Sequence, residues 1–117
     1  MNVVAIMGRL TRDAELTYTN GGTAMCKFSV AVNERRKQGE EWVDYAHFVD
    51  CTLWGKRGES VSRFLTKGTM IGVKGALDHQ RWEKDGQKHN KLAVKALDIT
   101  LTGKSQNEEP REESAPF

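Results

Sequence analysis

The stretch 45-YAHFVDCTLWGK-56 decides how the rest of the chain is read. Side chains of an extended strand alternate between its faces, so Val49, Cys51 and Leu53 point one way and Phe48, Asp50, Thr52 and Trp54 the other. The first set is apolar and reads as a core face. The second is polar apart from two large rings, and a ring on the wet face of a strand is less ordinary than one in a core. Lys56 follows at once, so planar rings and a cation share one short ribbon. Unstacked bases joined by phosphates suit that combination. The rings alone would equally suit packing under a neighbouring loop or against another subunit.

Upstream, residues 23 to 33 alternate plainly, with Cys26, Phe28, Val30 and Val32 on one face and Lys27, Ser29, Ala31 and Asn33 on the other, which predicts a half-exposed strand. The segment 34-ERRKQGEEW-42 mixes both signs of charge around Gly39 and reads as a long protruding hairpin loop. It places Arg35, Arg36 and Lys37 at the mouth of the ring-bearing strand. Trp42 fits packing and binding alike. Downstream, the spacing of Val61, Phe64 and Leu65 predicts one helix from Lys56 or Gly58 to Lys67, with Phe64 in the core and Gly68 just past the end.

Residues 2 to 10, NVVAIMGRL, are rich in β-branched side chains and suit a strand covered on both sides, in which Gly8 marks a bulge or sharp bend. Residues 14 to 18 extend it beyond the polar break Thr11-Arg12-Asp13, and Asn20-Gly21-Gly22 then supplies a hairpin turn. Residues 69 to 82 form a fourth strand, with Ile71, Val73, Gly75 and Leu77 on one parity and Lys74, Asp78, Gln80 and Trp82 on the other. Lys84-Asp85-Gly86-Gln87 is the turn of a second charged hairpin. In the fifth strand, Lys91 to Thr102, the apolar parity switches from Leu92 and Val94 to Leu97, Ile99 and Leu101, which a bulge near Ala96 would reconcile.

Three strands, a helix of about three turns and two strands predict an all-β fold with one short helix. The order matches the OB-fold, a five-stranded Greek-key barrel whose middle strands and loops bind oligonucleotides. An SH3-like barrel is the alternative, and the helix after strand three favours the OB-fold. Phe48, Trp54 and Trp82 all fall on polar parities of strands that this topology brings close, so they are the candidates for base stacking. Arg36, Lys56, Lys67 and Arg81 are the candidates for phosphate contacts, Arg36 also offering its planar guanidinium to a base.

At 117 residues the chain is long enough for one domain with its own core. The net charge of +2 divides into +4 on the body and −2 on residues 104–117, a sign asymmetry between the two. No apolar run approaches the roughly 18–20 residues of a membrane span. MNVVAIMGRL lacks a basic leader and a cleavage site, so a cytoplasmic, nucleoid-associated location is expected. Cys26 and Cys51 are far apart, without a CxxC or paired His, and read as reduced thiols within strands rather than metal ligands. His47, His79 and His89 show no metal-site spacing, and GKRGES lacks the P-loop pattern. Asp50 shares the ring face but has no nucleophile or metal partner, so neither enzymatic activity nor a cofactor is expected.

VVAIMGRLTRDAELTYTNGG, FSVAVNE, HFVDCTLWGK, FLTKG and VKGALDHQRWEKDG follow one another in order, and with them residues 2 to 103 resemble the bacterial single-stranded DNA-binding protein family. The resemblance implies that Phe48, Trp54 and Trp82 stack on bases and that Lys56, Lys67 and Arg81 line the path of the strand. It implies a homotetramer without catalytic activity that wraps single strands exposed in replication, recombination and repair. The family often carries a Trp where this chain has Arg36.

The resemblance divides the chain into a barrel, residues 1–103, and a short, polar, acidic tail, 104–117, whose composition predicts disorder. The tail is shorter than the family's usual linker and closes on EESAPF. The family's acidic tips ending in Pro-Phe dock onto enzymes of DNA metabolism, which assigns partner binding to Glu112, Glu113, Pro116 and Phe117. The competing expectation is a protein-interaction barrel similar to the primosomal replication protein, in which the rings line a protein interface.

Overall fold

The computed structural model describes residues 1–102, so the expectations for the tail, Glu112, Glu113, Pro116 and Phe117 among them, lie outside the described residues. Six strands run in the order β1 (Val4–Leu10), β2 (Glu15–Tyr18), β3 (Ala24–Gln38), β4 (Glu41–Trp54), β5 (Met70–Lys84) and β6 (Gln87–Leu101). A helix, α1 (Gly55–Val61), and a single 3-10 turn, Ser62–Phe64, separate β4 from β5. The sheet order is β1-β5-β6-β4-β3-β2, and pairing of β1 with β3 closes it. β1 and β2 are two halves of one strand broken at Thr11-Arg12-Asp13, so the closed barrel has the five strands of the OB-fold.

Closure depends on Gly8. Beyond it β1 lies between two strands: Arg9 and Leu10 pair with Ala31 and Val30 of β3 while Arg9 still pairs with Met70 of β5. The backbones approach so closely that a Cβ on Gly8 would lie 2.2 Å from the Ala31 carbonyl oxygen, a contact only glycine permits. Inside the barrel Phe28, Leu65, Ile71, Val30, Cys26 and Cys51 are fully buried, and Leu53, Val73 and Val94 pack beside them. Each large side chain removed from water in this way contributes about 1.5–3 kcal/mol. The Asn20-Gly21-Gly22 turn forms with Gly22 at φ +87°, and Thr19 and Thr23 are hydrogen-bonded across its base. Asp85 and Gly86 both take positive φ at the tip of the β5–β6 hairpin. In β6 the register slips opposite Lys74 and Gly75, so that Ala96 points in and Leu97 out, at the bulge that the change of parity requires.

Several expectations need correction. The segment 34–42 is not a loop: β3 and β4 stay paired from Met25↔Trp54 to Gln38↔Glu41, joined by the two-residue turn Gly39-Glu40. Both faces of this arm are wet, so no core imposes the apolar alternation by which strands are recognised. β1 is not covered on both sides, since Met7 within it and Val3 just before it are exposed. β6 begins at Gln87, and Leu77 and Leu92 are exposed where the hairpin leaves the barrel.

The helical stretch is also shorter than its sequence period implies. α1 has two turns and tightens into the 3-10 turn, which rotates Phe64 out to 49% exposure, with the Arg63 guanidinium 4.7 Å from its ring centroid. Leu65 takes the core position instead, and its carbonyl accepts the Ala14 N–H at 2.8 Å. Gly68, at φ +88°, belongs to the following turn closed by Thr69 N–H on the Thr66 carbonyl.

Candidate nucleic-acid interface

The antiparallel register of β3 and β4 puts even-numbered residues of β4 on the same face as odd-numbered residues of β3. Cys51 and Leu53 fill the barrel on the inner face. On the outer face Phe48 is 71% exposed and Trp54 42%, with Asp50 and Thr52 between them. The rings stand six positions apart along the strand, about 20 Å. Beside Trp54 lies a groove of about 240 Å³ whose walls include Arg12, Lys27, Asp50, Thr52, Gln80 and Lys91. The Lys91 ammonium meets the Asp50 carboxylate at 3.1 Å, tying β6 to β4 across that groove. Lys27 stands opposite Thr52 and forms no ion pair among the described residues.

Trp82 is carried on the outer part of the β5–β6 hairpin, 43% exposed. Its indole stacks on the His89 imidazole, centroids 5.6 Å apart and planes 19° from parallel. Arg81, on the opposite face of the hairpin from Trp82, donates from Nε to His79 Nδ1 at 3.3 Å. Lys56 is the second residue of α1, two residues after Trp54, and Lys67 lies in the turn before β5 with its backbone N–H bound to Asp13. Both lysines are exposed and form no ion pair among the described residues.

Arg36 belongs to a different surface. Its register partner is Val43, so it lies on the opposite face of the arm from Phe48 and Trp54. There its guanidinium lies 3.7 Å from the Tyr45 ring centroid and meets Glu34 at 2.6 Å, and His47 approaches the same Glu34 oxygen at 2.9 Å. Hydrogen bonds from His47 and then Arg36 hold the Glu34 carboxyl below the usual carboxylate range. One planar face of the guanidinium is thus already laid on a tyrosine.

The thiols are poor nucleophiles. Burial, reinforced by the Asp50 charge, pushes Cys51 up to about 12, and burial raises Cys26 as well. Among the described residues no group of three His, Cys, Asp or Glu side chains could hold a metal ion, and no helix is long and apolar enough to cross a membrane.

Comparison with known proteins adds the lineage. Residues 1–102 match the single-strand binding protein family. The chain belongs to that family. It is 45% identical over 117 residues to a single-stranded DNA-binding protein of Treponema pallidum, covering 100% of this chain and 66% of that protein. A Borreliella burgdorferi protein of the same name is 41% identical over 96 residues, covering 80% of this chain and 64% of its own length. The chain therefore spans about two thirds of the length of these relatives. Among solved structures, a deletion variant of the Thermus aquaticus single-stranded DNA-binding protein superposes with a TM-score of 0.78 at 29% identity, over 87% of this chain and 50% of that one. A Plasmodium falciparum protein solved with single-stranded DNA has a TM-score of 0.79 at 20% identity, over 87% of this chain and 95% of that one, which shows a shared fold.

Within this family member, Phe48, Trp54 and the groove lie together on the barrel face and Trp82 projects from the neighbouring hairpin, whereas Arg36 and Arg81 lie on the opposite faces of their two hairpins from the rings. Sequence reasoning overlooked Arg12, Lys27, Lys91 and His89. Lys27 was within reach, because the alternation of residues 23–33 already places it outward. His89 was too: an Asp85-Gly86 turn sets Lys84 opposite Gln87 and therefore Trp82 opposite His89. Arg12 and Lys91 carry no local signal, since only closure of the barrel brings them to the groove.

Proposed function

We propose that the chain binds single-stranded DNA with little sequence preference, as a non-catalytic binding module. The observation that carries this reading is Phe48, 71% exposed on a strand whose alternate residues Cys51 and Leu53 are 2% and 3% exposed. Phe48 is the most exposed aromatic ring among the described residues, and it stands over a strand whose inner side chains Cys51 and Leu53 are packed, so it offers a flat apolar surface to an incoming base. Every base has a π-face, so Phe48, Trp54 and Trp82 hold unpaired strands by stacking, worth about 1–3 kcal/mol per base. Lys56, Lys67 and Arg81, together with Arg12 and Lys27, take phosphates. A duplex keeps its bases stacked on each other and offers these rings nothing.

The family resemblance extends the reading to a homotetramer acting in replication, recombination and repair in the cytoplasm. The exposed apolar side chains of Met7 in β1 and of Val3 just before it support self-association. The resemblance likewise assigns Glu112, Glu113, Pro116 and Phe117 to the recruitment of proteins of DNA metabolism.

The test is a titration with oligo-dT, followed by tryptophan fluorescence and compared with duplex of equal length, alongside the Phe48→Ala/Trp54→Ala double variant. Quenching by oligo-dT, no response to duplex and a loss of about 2–6 kcal/mol in the double variant are expected if each ring stacks one base. Unchanged affinity in that variant would transfer the rings to a protein interface.

A further inference from the structure

We propose that Trp42 is a further base-stacking residue, which carries the single-strand path outward along the β3–β4 arm; this rests on the reading of Phe48 and Trp54 given above. Trp42, Phe48 and Trp54 stand at six-residue intervals on one parity of the continuous strand β4, exposed by 58%, 71% and 42%. Only Asp44 and Ala46 separate the first two, as only Asp50 and Thr52 separate the second two. The rings therefore rise above a floor of short side chains, in a row spanning about 40 Å.

The charge on this face agrees. Its side chains from β3 include Lys37, directly opposite Trp42, then Arg35 and Lys27. Its two carboxylates are both occupied, Asp44 with Arg35 at 3.5 Å and Asp50 with Lys91 at 3.1 Å. Lys37 and Lys27 form no ion pair among the described residues, so cations remain available at both ends of the row. The opposite face of the arm lacks that balance, because Arg36 is committed to Glu34 and Tyr45. A polyanion with flat bases, approaching the arm from the Phe48 side, finds a ring beside a free ammonium at Trp42 just as it does near Trp54.

Because the row is long, its outer ring is felt only by long strands. At 3.4 Å per stacked nucleotide, reaching from Trp54 to Trp42 takes about 12 nucleotides, and reaching Phe48 about six. The experiment measures the full chain and its Trp42→Ala and Trp42→Phe variants against dT6 and dT20, with Phe48→Ala/Trp54→Ala as reference. The expected result is a loss of about 5- to 100-fold for dT20 in Trp42→Ala, less than twofold for dT6, and recovery of most of the loss in Trp42→Phe. Equal losses at both lengths would mean general damage to the arm and overturn the proposal, as would no loss at either length. Should Phe48→Ala/Trp54→Ala itself bind normally, the parent reading fails; should that variant lose affinity while Trp42→Ala does not, only the extension along the arm fails.

Discussion

Trp82 and His89 lie face to face across the β5–β6 hairpin, ring centroids 5.6 Å apart, so one side of the indole is already covered when a base arrives. A base can stack only on the other side, and the imidazole holds the indole ready for it. Trp82→Ala is expected to weaken oligo-dT binding by about 1–3 kcal/mol. His89→Ala should weaken it by about 0.5–1.5 kcal/mol, the worth of an aromatic pair. If His89 acts through Trp82, the double variant binds as Trp82→Ala alone does, which a double-mutant cycle by anisotropy titration decides. Additive losses would make His89 an independent contact.

Asp50 is the carboxylate in the groove, and its partner Lys91 is a cation withheld from phosphate. Asp50→Ala removes a repulsive charge and frees an ammonium. Affinity for oligo-dT should therefore rise, and the slope of log affinity against log salt should steepen by about 0.7, the increment for one neutralised phosphate on a single strand. A variant with weaker binding or an unchanged slope would show that Lys91 does not reach the DNA.

The barrel was legible where one face of a strand is packed and the other wet. From Phe48 to Trp54 and from Cys26 to Val30 the alternation is one of side-chain chemistry, apolar inward and mostly polar outward, although Ser29 and Thr52 on the outer face are themselves buried. Past Asn33 the paired strands leave the core, charges appear on both faces, and no period survives to distinguish strand from loop. Phe64 fails for a related reason: its helical spacing is real, but the 3-10 turn alters the angle per residue just before Leu65. At the site, residues named by local alternation fall where expected on the outer face. Arg36 is named instead by its place at the mouth of the ring-bearing strand, and strand parity sends it to the opposite surface.

Gly8 tests barrel closure. A Cβ there would sit 2.2 Å from the Ala31 carbonyl oxygen and 2.7 Å from Val30 Cγ1, so β1 and β3 would have to separate. Gly8→Ala should cost about 2–3 kcal/mol or more in a urea melt, in the range of overpacked cores. Gly21→Ala is the control, because its nearest neighbour, Thr19 Oγ1, is 3.9 Å away, and it should change stability far less. Comparable behaviour of the two variants would place the strain of closure elsewhere.

Cys51 gives the fold an alkaline limit. Burial first, and the Asp50 charge second, push its thiol from 9.0 up to about 12, while in the unfolded chain it ionises near its ordinary value. Above about pH 9 the unfolded state loses this proton and the folded state keeps it. The stability attached to the neutral thiol is thus intact below pH 9 and declines as pH rises towards 12, by at most about 1.4 kcal/mol per pH unit. Cys51→Ala is expected to lower stability at pH 7, through the small cavity it leaves, and to flatten the decline between pH 9 and 11. Urea melts at pH 7, 9, 10 and 11 read both effects. An unaltered alkaline slope in the variant would assign the limit to another group, and rapid labelling of Cys51 by a thiol reagent in the folded protein at pH 8 would contradict its burial.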